Sequence, residues 1–149
     1  MTLRQLAKEI SDRKHSKVPE HCRPVVSFKE SSSGELTKSV IAFLRLKGHY
    51  AKRLSSEGRY RPGDEVTNVL GHKISMKGSW ISGSNTGMPD VISVLSPKGL
   101  FAGWEIKFGK DRQGPDQKAF EDQVKKAGGL YFIVKTWDGF IFDYNNLKL

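Results

Sequence analysis

The sequence predicts an α/β fold in which a mixed β-sheet is flanked by helices. Several segments repeat apolar residues at intervals of three and four, which is typical of helices with one buried face. Short apolar segments bounded by turn residues lie between them and favour strands. After an amino-terminal helix, the predicted order is helix, strand, strand, strand, helix, strand, strand, over residues 34–48, 49–54, 90–95, 100–108, 115–127, 130–135 and 140–144.

Residues 1–33 are predicted to be an amino-terminal helical extension. Thr2 is a suitable N-cap for a helix over residues 3–14. The apolar stripe of that helix consists of Leu3, Leu6, Ala7 and Ile10. A serine-rich break at residues 31–34 then separates the extension from a domain over residues 34–149.

That domain is predicted to begin with a long helix and a strand. Gly48 supplies the C-terminal stop of the helix. The strand covers residues 49–54. The buried face of the helix consists of Leu36, Val40, Phe43 and Leu44.

Residues 55–89 form a long connector with six glycines, many serines and only short apolar stretches. A structureless connection of this length is uncommon in a compact domain, so we expect a hairpin or a functional flap. Basic side chains in the connector, and Arg53 just before it, suit contacts to the phosphates of a nucleic acid. These connector residues are Arg59, Arg61, Lys73 and Lys77.

The second half of the domain predicts a hairpin, a helix and a second hairpin. The turn at residues 96–99 joins the strands over 90–95 and 100–108. Pro115 suits the first position of a helix. Its buried stripe is expected to consist of Phe120, Val124 and Ala127.

The chain is expected to end in a second β-hairpin. Asp138-Gly139 is a strong signal for a two-residue hairpin loop. Apolar segments at residues 130–135 and 140–144 flank it and are predicted to be the paired strands.

The charge balance indicates a polyanionic partner. The sequence has 25 lysines and arginines and 16 acidic residues, which gives a formal net charge of +9. The excess of basic residues lies before Asp90. A single cysteine, Cys22, excludes an internal disulfide and any multi-cysteine zinc site. No apolar run approaches the ~20 residues of a membrane span, and charge appears too early for a secretory signal. A cytoplasmic location is therefore expected.

Tryptophan and histidine side chains are mostly expected to be structural or solvated. Trp80, Trp104 and Trp137 are interpreted as packing residues, although Trp80 in the polar connector could stack on an unpaired base. Solvated surface positions are expected for His15, His49 and His72.

The strand over residues 100–108 places two charged residues on one face. Alternate side chains share a face of a strand, so Glu105 and Lys107 lie opposite an apolar face of Ala102, Trp104, Ile106 and Phe108. If Pro97-Lys98 is a two-residue loop, Asp90 stands opposite Glu105, and two such close carboxylates favour a bound Mg²⁺. A three-residue loop with a glycine bulge would instead turn Asp90 away.

Two more polar residues occupy suggestive positions at helix starts. Glu35 begins the first long helix, where the dipole favours a carboxylate, and it could also face the metal. Gln117 is the polar end of the stripe predicted to be buried in the later helix, so it is expected to point towards the sheet.

At these residues the chain resembles the PD-(D/E)xK nuclease superfamily, and in particular its virus-type replication-repair nuclease (VRR-NUC) domain. The resemblance rests on Gly87-Met88-Pro89-Asp90, on Glu105-Ile106-Lys107 and on the segment from Gly114 to Phe120, with Glu35 upstream. It covers residues 34–135 and implies a restriction-endonuclease-like core of helix, three strands, helix and strand. The connector and residues 1–33 depart from that core pattern.

The resemblance also implies roles for these residues. Asp90 and Glu105 would bind Mg²⁺ or Mn²⁺, with the backbone carbonyl of Ile106 as a further ligand and Glu35 acting through a water. Lys107 would orient the attacking water or stabilise the transition state. Gln117 would hold the site or the nucleotide.

The function expected from this resemblance is that of a metal-dependent endonuclease that hydrolyses DNA phosphodiester bonds. Branched, flap or junction DNA is the implied substrate, as for the Holliday junction resolvases and repair nucleases of this superfamily. Those enzymes act as dimers, which implies a homodimer here with the amino-terminal helix as a contact. The alternatives are a non-catalytic basic module that binds nucleic acid and an RNA-processing nuclease on the same fold.

Overall fold

The computed structural model describes residues 1–54, 59–68, 70–75, 77–81 and 87–147, and the side chains of Arg59 and Val66 lie outside that description. Two compact units are present. The first consists of Met1–Leu54 and Gly87–Leu149, and the second is Ser55–Thr86. The boundary that the sequence suggested at residue 33 stays a prediction.

The first unit contains four α-helices, one short 3₁₀ helix and four strands among its described residues. The described part of the second unit contains four short strands, and all strands are numbered in chain order. The elements are α1 (Leu3–Lys14), the 3₁₀ helix Glu20–Cys22, α2 (Ser33–Leu46), β1 (Tyr50–Arg53), β2 (Arg59–Arg61), β3 (Glu65–Thr67), β4 (Lys73–Ser75), β5 (Ser79–Ile81), β6 (Val91–Leu95), β7 (Leu100–Ile106), α3 (Pro115–Lys126), β8 (Leu130–Val134) and α4 (Trp137–Asn145).

The sheet of the first unit is mixed, as the sequence predicts. Its strand order is β1-β6-β7-β8. The pairs β1–β6 and β6–β7 are antiparallel, whereas β7 and β8 are parallel. Parallel neighbours need a crossover, and α3 supplies it. The predicted α/β architecture is therefore confirmed.

The β6–β7 hairpin has the register that places Asp90 next to Glu105. Val91 pairs with Trp104, and the pairing continues without a bulge to Leu95 and Leu100. Of the two registers that the sequence left open, the structure has the one that follows from a two-residue loop. The loop between the strands has four unpaired residues and not two, because the last pair is Leu95 with Leu100.

The hydrophobic core lies on the face of the sheet that carries Trp104. That side chain is completely buried and stacks on Phe132, with 4.6 Å between the ring centroids. Leu6 of α1 is also completely buried in this core. The predicted apolar face of β7 is confirmed for Ala102, Trp104 and Ile106, whereas Phe108 lies beyond the strand and is exposed.

The last predicted hairpin is wrong, because residues 137–145 form the helix α4. The Thr136 side chain caps it by accepting a hydrogen bond from the backbone N–H of Gly139. Trp137, Phe140 and Tyr144 then fall on one helical stripe, and each makes a near-perpendicular ring contact with Phe43 of α2. The Asp138-Gly139 dipeptide therefore lies in a first helical turn.

Helix α3 covers the opposite face of the sheet less completely than the sequence suggests. Phe120 and Val124 are half-buried, and Ala127 is exposed. The aromatic ring of Phe120 faces Tyr131 of β8 with 6.3 Å between their centroids. The expected buried stripe is thus a partly exposed one.

The described residues of the second unit form two successive antiparallel strand pairs, which are called the ribbon below. Strand β2 pairs with β5 and strand β3 pairs with β4, both antiparallel. Three residues separate β2 from β3, and three separate β4 from β5. The two strand pairs therefore continue one another in the same antiparallel register. The tip is a turn in which the Asn68 side chain accepts hydrogen bonds from the backbone N–H groups of Leu70 and His72.

Across the described residues, the helices are all too short or too polar to cross a lipid bilayer.

Candidate active site

Glu105 and Lys107 form a buried ion pair at the carboxyl end of β7. Glu105 is 2 % exposed and Lys107 is 6 % exposed. The ammonium Nζ of Lys107 lies 2.9 Å from Oε1 of Glu105. Both side chains project from the face opposite Trp104, as the alternation of a strand requires. The backbone N–H of Lys107 donates to the carbonyl of Val134, which fixes this end of β7 against β8.

Asp90 stands directly before β6 and is attached to both neighbouring strands. Its carboxylate oxygen Oδ2 accepts a hydrogen bond of 2.9 Å from the backbone N–H of Ile106. Its carbonyl accepts one of 2.8 Å from the N–H of Leu54, just after β1. The Asp90 carboxylate is close enough to Glu105 to act on its ionisation. Asp90, Glu105 and Lys107 are therefore brought together.

Gln117 is held over this pair by the start of α3. Its Oε1 accepts hydrogen bonds from the backbone N–H of Gly114 at 2.9 Å and from Nζ of Lys107 at 3.1 Å. Its Nε2 donates to Oε1 of Glu105. The bond to Gly114 belongs to a capping box, which ties the side chain to the first turn of the helix. Gln117 therefore reaches the sheet, as its place on the helical stripe predicts.

Tyr131 is a site residue that the sequence analysis missed. Its hydroxyl donates to Oε2 of Glu105 at 3.3 Å from the start of β8. Burial, followed by the charge of Glu105, raises the pKa of Tyr131, so the hydroxyl keeps its proton and remains a donor. Tyr131 could have been found only from the parallel register of β7 and β8, which places it beside β7 and which a single sequence does not reveal.

Gly103 makes room for this arrangement. It pairs with Tyr131 in the sheet. A Cβ at Gly103 would lie 3.0 Å from both the Cγ of Pro89 and the Cδ2 of Tyr131. Because Pro89 is completely buried, a side chain at Gly103 would press directly on the residue that precedes Asp90.

Burial and neighbouring charges change the ionisation of the pair. Burial raises the pKa of Glu105 above its usual range, the Asp90 carboxylate adds to this, and Lys107 opposes it. For Lys107, burial alone would lower the pKa, but the hydrogen bond and charge of Glu105, with those of Asp111, raise it. Asp111 lies 3.3 Å from Nζ of Lys107 in the loop after β7. Lys107 is therefore held as a cation between two carboxylates.

The residues fit a divalent metal in their chemistry. Hard cations such as Mg²⁺ take carboxylate oxygens, and two carboxylates lie together here. Their proximity raises the pKa of Glu105, and a cation between them would relieve that repulsion. In the present arrangement Oε1 of Glu105 meets both Gln117 and Lys107, whereas Oε2 accepts a single hydrogen bond from Tyr131 and keeps a second lone pair for a cation.

Among the described residues, no hydrogen bond or ion pair joins Glu35 to Asp90, Glu105 or Lys107. Glu35 lies in the first turn of α2, where its side chain accepts a hydrogen bond from the Ser31 hydroxyl. Within the described part of the chain, no group of three or more His, Cys, Asp or Glu side chains is arranged to hold a metal ion. The roles predicted for Glu35 and for the Ile106 carbonyl stay predictions.

The residues predicted to contact phosphates belong to both units. Arg53 ends β1 and pairs with Val91, one residue from Asp90. Arg61, Lys73 and Lys77 belong to the ribbon and are exposed. The side chain of Arg59 lies outside the described residues, although its backbone belongs to β2.

Comparison with solved structures decides the fold. A chain described as a VRR_NUC domain aligns with a TM-score of 0.50 and 17% sequence identity, over 76% of this chain and 95% of that chain. The chain has the VRR-NUC fold. No protein-family model and no curated protein matches the sequence. This likeness shows the fold alone, and activity is a separate question.

Proposed function

We propose that this chain is a metal-dependent endonuclease that hydrolyses phosphodiester bonds in DNA. The observation that carries the proposal is the conjunction of Asp90, Glu105 and Lys107 at one end of a VRR-NUC sheet. A buried lysine beside two carboxylates is an uncommon arrangement, because burial of charge is unfavourable without a compensating role.

In this proposal, Asp90 and Glu105 would hold one or two Mg²⁺ or Mn²⁺ ions. A bound metal of this kind lowers the pKa of a coordinated water and neutralises charge on the phosphodiester. Asp90 keeps its orientation through the Ile106 N–H, and Glu105 keeps its orientation through Gln117 and Tyr131. These contacts preorganise both carboxylates before substrate arrives.

The ammonium group of Lys107 provides a positive charge beside the proposed cleavage site. As a cation it can orient the attacking water or stabilise the negative charge that develops on the non-bridging phosphate oxygens. Gln117 and Asp111 limit where its ammonium group can move. Gln117 thus acts through Lys107 and Glu105 as a positioning residue.

The proposed substrate is branched, flap or junction DNA, and the proposed assembly is a homodimer. The formal net charge of +9 supports a polyanionic substrate. The dimer and the DNA geometry come from the resemblance to junction-resolving nucleases, and RNA as the substrate is the alternative on the same fold.

A second candidate function is a non-catalytic module that binds nucleic acid. One observation favours it: both oxygens of Glu105 already accept hydrogen bonds from protein donors, as they would in a purely structural ion cluster. Such a module would bind DNA in a salt-sensitive manner and would not cleave it.

A cleavage panel separates these functions. Labelled linear duplex, single strand, flap and four-way junction are incubated with Mg²⁺, Mn²⁺ or EDTA, and the same junction and flap are prepared as RNA. We expect metal-dependent cutting of branched DNA by the wild type and by Asp122→Asn, an exposed carboxylate of α3. Asp90→Asn should bind but not cut. Binding without cutting under every metal would support the module instead.

A further inference from the structure

The ribbon of the second unit presents two chemically different faces. In β2 and β5, Tyr60 pairs directly with Trp80, and Arg61 pairs with Ser79. Because alternate residues of a strand point to opposite faces, Tyr60 and Trp80 share one face and Arg61 lies on the other. The base of the ribbon is therefore aromatic on one face and basic on the other.

The aromatic face is open to solvent. Tyr60 is 60 % exposed and Trp80 is 67 % exposed. This corrects the expectation that Trp80 is a packing residue, which holds for the buried Trp104 and Trp137. Exposed aromatic area is unfavourable in water. Two such residues placed opposite each other therefore suggest a surface that another molecule covers.

Gly78 gives Tyr60 a defined place on that face. A Cβ at Gly78 would lie 2.0 Å from the hydroxyl oxygen of Tyr60 and 2.9 Å from the carbonyl oxygen of Arg61. The tyrosine ring thus extends across the backbone of the opposite strand at the position that lacks a side chain. The Tyr60 ring is therefore held against the ribbon, on the face that it shares with its cross-strand partner Trp80.

The opposite face carries cations that are available to an anion. Arg61 and Lys77 line one shallow concave surface together with Pro62, Gly63, Asp64 and Ser79. The ion pair of Arg61 with Asp64 spans 3.9 Å between exposed groups, and such a pair contributes little free energy. Both cations can therefore turn towards a phosphate without losing a strong interaction.

We propose that the ribbon binds DNA at a place where unpaired bases adjoin a duplex, with the Tyr60–Trp80 face stacked on an unpaired base and Arg61 and Lys77 on phosphates. Flat aromatic side chains stack on any base, and cations on the other face need a second nucleic-acid surface. A forked DNA supplies an unpaired base for the aromatic face and a duplex backbone for the basic face. A blunt duplex lacks the unpaired base, and a single strand lacks the duplex. The proposal rests on the proposed DNA function and specifies how its substrate is recognised.

Tryptophan fluorescence tests the stacking directly. Trp104 and Trp137 are buried, so quenching by added DNA reports on Trp80. Measured in EDTA to prevent cleavage, a forked oligonucleotide should quench the wild-type signal and bind more tightly than a blunt duplex or a single strand of equal length. Trp80→Leu should lose the quenching and about tenfold in affinity for the fork.

Two further variants control this result. Phe142→Leu removes an aromatic side chain of similar exposure from the first unit, and it should leave affinity and quenching unchanged. The double variant Arg61→Ala, Lys77→Ala should weaken binding to fork and duplex alike and reduce the salt dependence of binding by about two phosphate contacts.

Three outcomes would overturn the proposal. They are equal affinity for fork, duplex and single strand; undiminished affinity for the fork in Trp80→Leu; or a Trp80→Leu variant whose only change is loss of self-association. Because binding is measured without metal, its failure leaves metal-dependent cleavage to be judged separately. Failed cleavage by wild type that still binds the fork would count against the nuclease and not against the ribbon.

Discussion

The β6–β7 hairpin and the ribbon are both antiparallel pairs, yet they use polar and aromatic residues in opposite ways. In the hairpin, the charged pair Glu105 and Lys107 is buried, and Trp104 lies completely inside the core. In the ribbon, the aromatic pair is exposed, and the ion pairs lie in solvent. The hairpin therefore fixes a few groups in one geometry, whereas the ribbon offers a surface.

This contrast follows from what each pair packs against. Strand β7 has a neighbour on both edges, and helices pack on the sheet to which it belongs, so each of its side chains meets other protein groups. Each ribbon strand has three residues and one described partner, and a two-stranded ribbon cannot bury a core between its own faces. Position in the fold thus decides whether a charged residue acts by preorganised geometry or by long-range attraction.

The largest difference between the regions should appear when one lysine of each ion pair is replaced. Lys107→Met leaves Glu105 buried without its cation, and we expect about 3 kcal/mol lower free energy of unfolding together with loss of any cleavage. Lys73→Met breaks an exposed pair of 3.6 Å with Glu65, and we expect a change within about 0.5 kcal/mol. Urea denaturation of both variants measures this. Equal effects would mean that burial does not distinguish the two pairs.

The next largest difference in stability between the two regions should come from replacing one glycine of each with alanine. Gly103→Ala presses on Pro89 and Tyr131, both buried, and we expect about 2 kcal/mol of destabilisation and weaker cleavage. Gly78→Ala meets the Tyr60 ring and the backbone carbonyl of Arg61, but both belong to the second unit, so the thermal unfolding of the first unit should not change. A Gly103→Ala variant as stable as wild type would show that Pro89 does not fix the position of Asp90.

The same contrast explains how much the sequence could predict. The common face of Glu105 and Lys107 follows from local alternation and agrees with the structure. The short turn limited the β6–β7 pairing to two registers, and the structure has one of them. Gln117 follows from helical phase. These features depend on residues close together in the chain, where local geometry leaves few alternatives.

What the sequence could not show depends on distant contacts. The Asp138-Gly139 signal is overridden because Trp137, Phe140 and Tyr144 pack on Phe43, nearly a hundred residues earlier. Tyr131 reaches Glu105 only through a parallel pairing across α3. The chain also buries His49, which was expected at the surface, between Ser96 and Tyr144.

Removing one hydroxyl should give a smaller effect that still differs between the regions. Tyr131→Phe deletes the donor to Oε2 of Glu105, and we expect about 1 kcal/mol of destabilisation and a higher Mg²⁺ requirement for cleavage. Tyr60→Phe removes a hydroxyl from the exposed face and should change neither stability nor the Mg²⁺ requirement. Denaturation curves and metal titrations measure both. A Tyr131→Phe variant with an unchanged metal requirement would remove Tyr131 from the proposed site.

The smallest expected effect is a pH dependence that belongs to the first unit alone. Nδ1 of His49 accepts a hydrogen bond of 3.0 Å from the Ser96 N–H, so the neutral ring carries its proton on Nε2 and donates to the Tyr144 hydroxyl at 2.8 Å. Burial lowers the pKa of His49 below the ordinary value of 6.5. Because the folded state favours the neutral ring, this contribution to stability is complete above pH 6.5 and is lost as the pH falls through the lowered folded-state pKa.

His49→Gln tests that assignment, since the glutamine oxygen can accept the Ser96 N–H without taking up a proton. The variant should be less stable than wild type at pH 7.5, but its stability should fall less steeply between pH 6.5 and pH 5. Thermal unfolding over this range, followed by the fluorescence of the buried tryptophans, reports on the first unit. A variant with the same acid slope as wild type would place the acid sensitivity elsewhere, and the buried histidine would then be a packing residue with no titration of its own in this range.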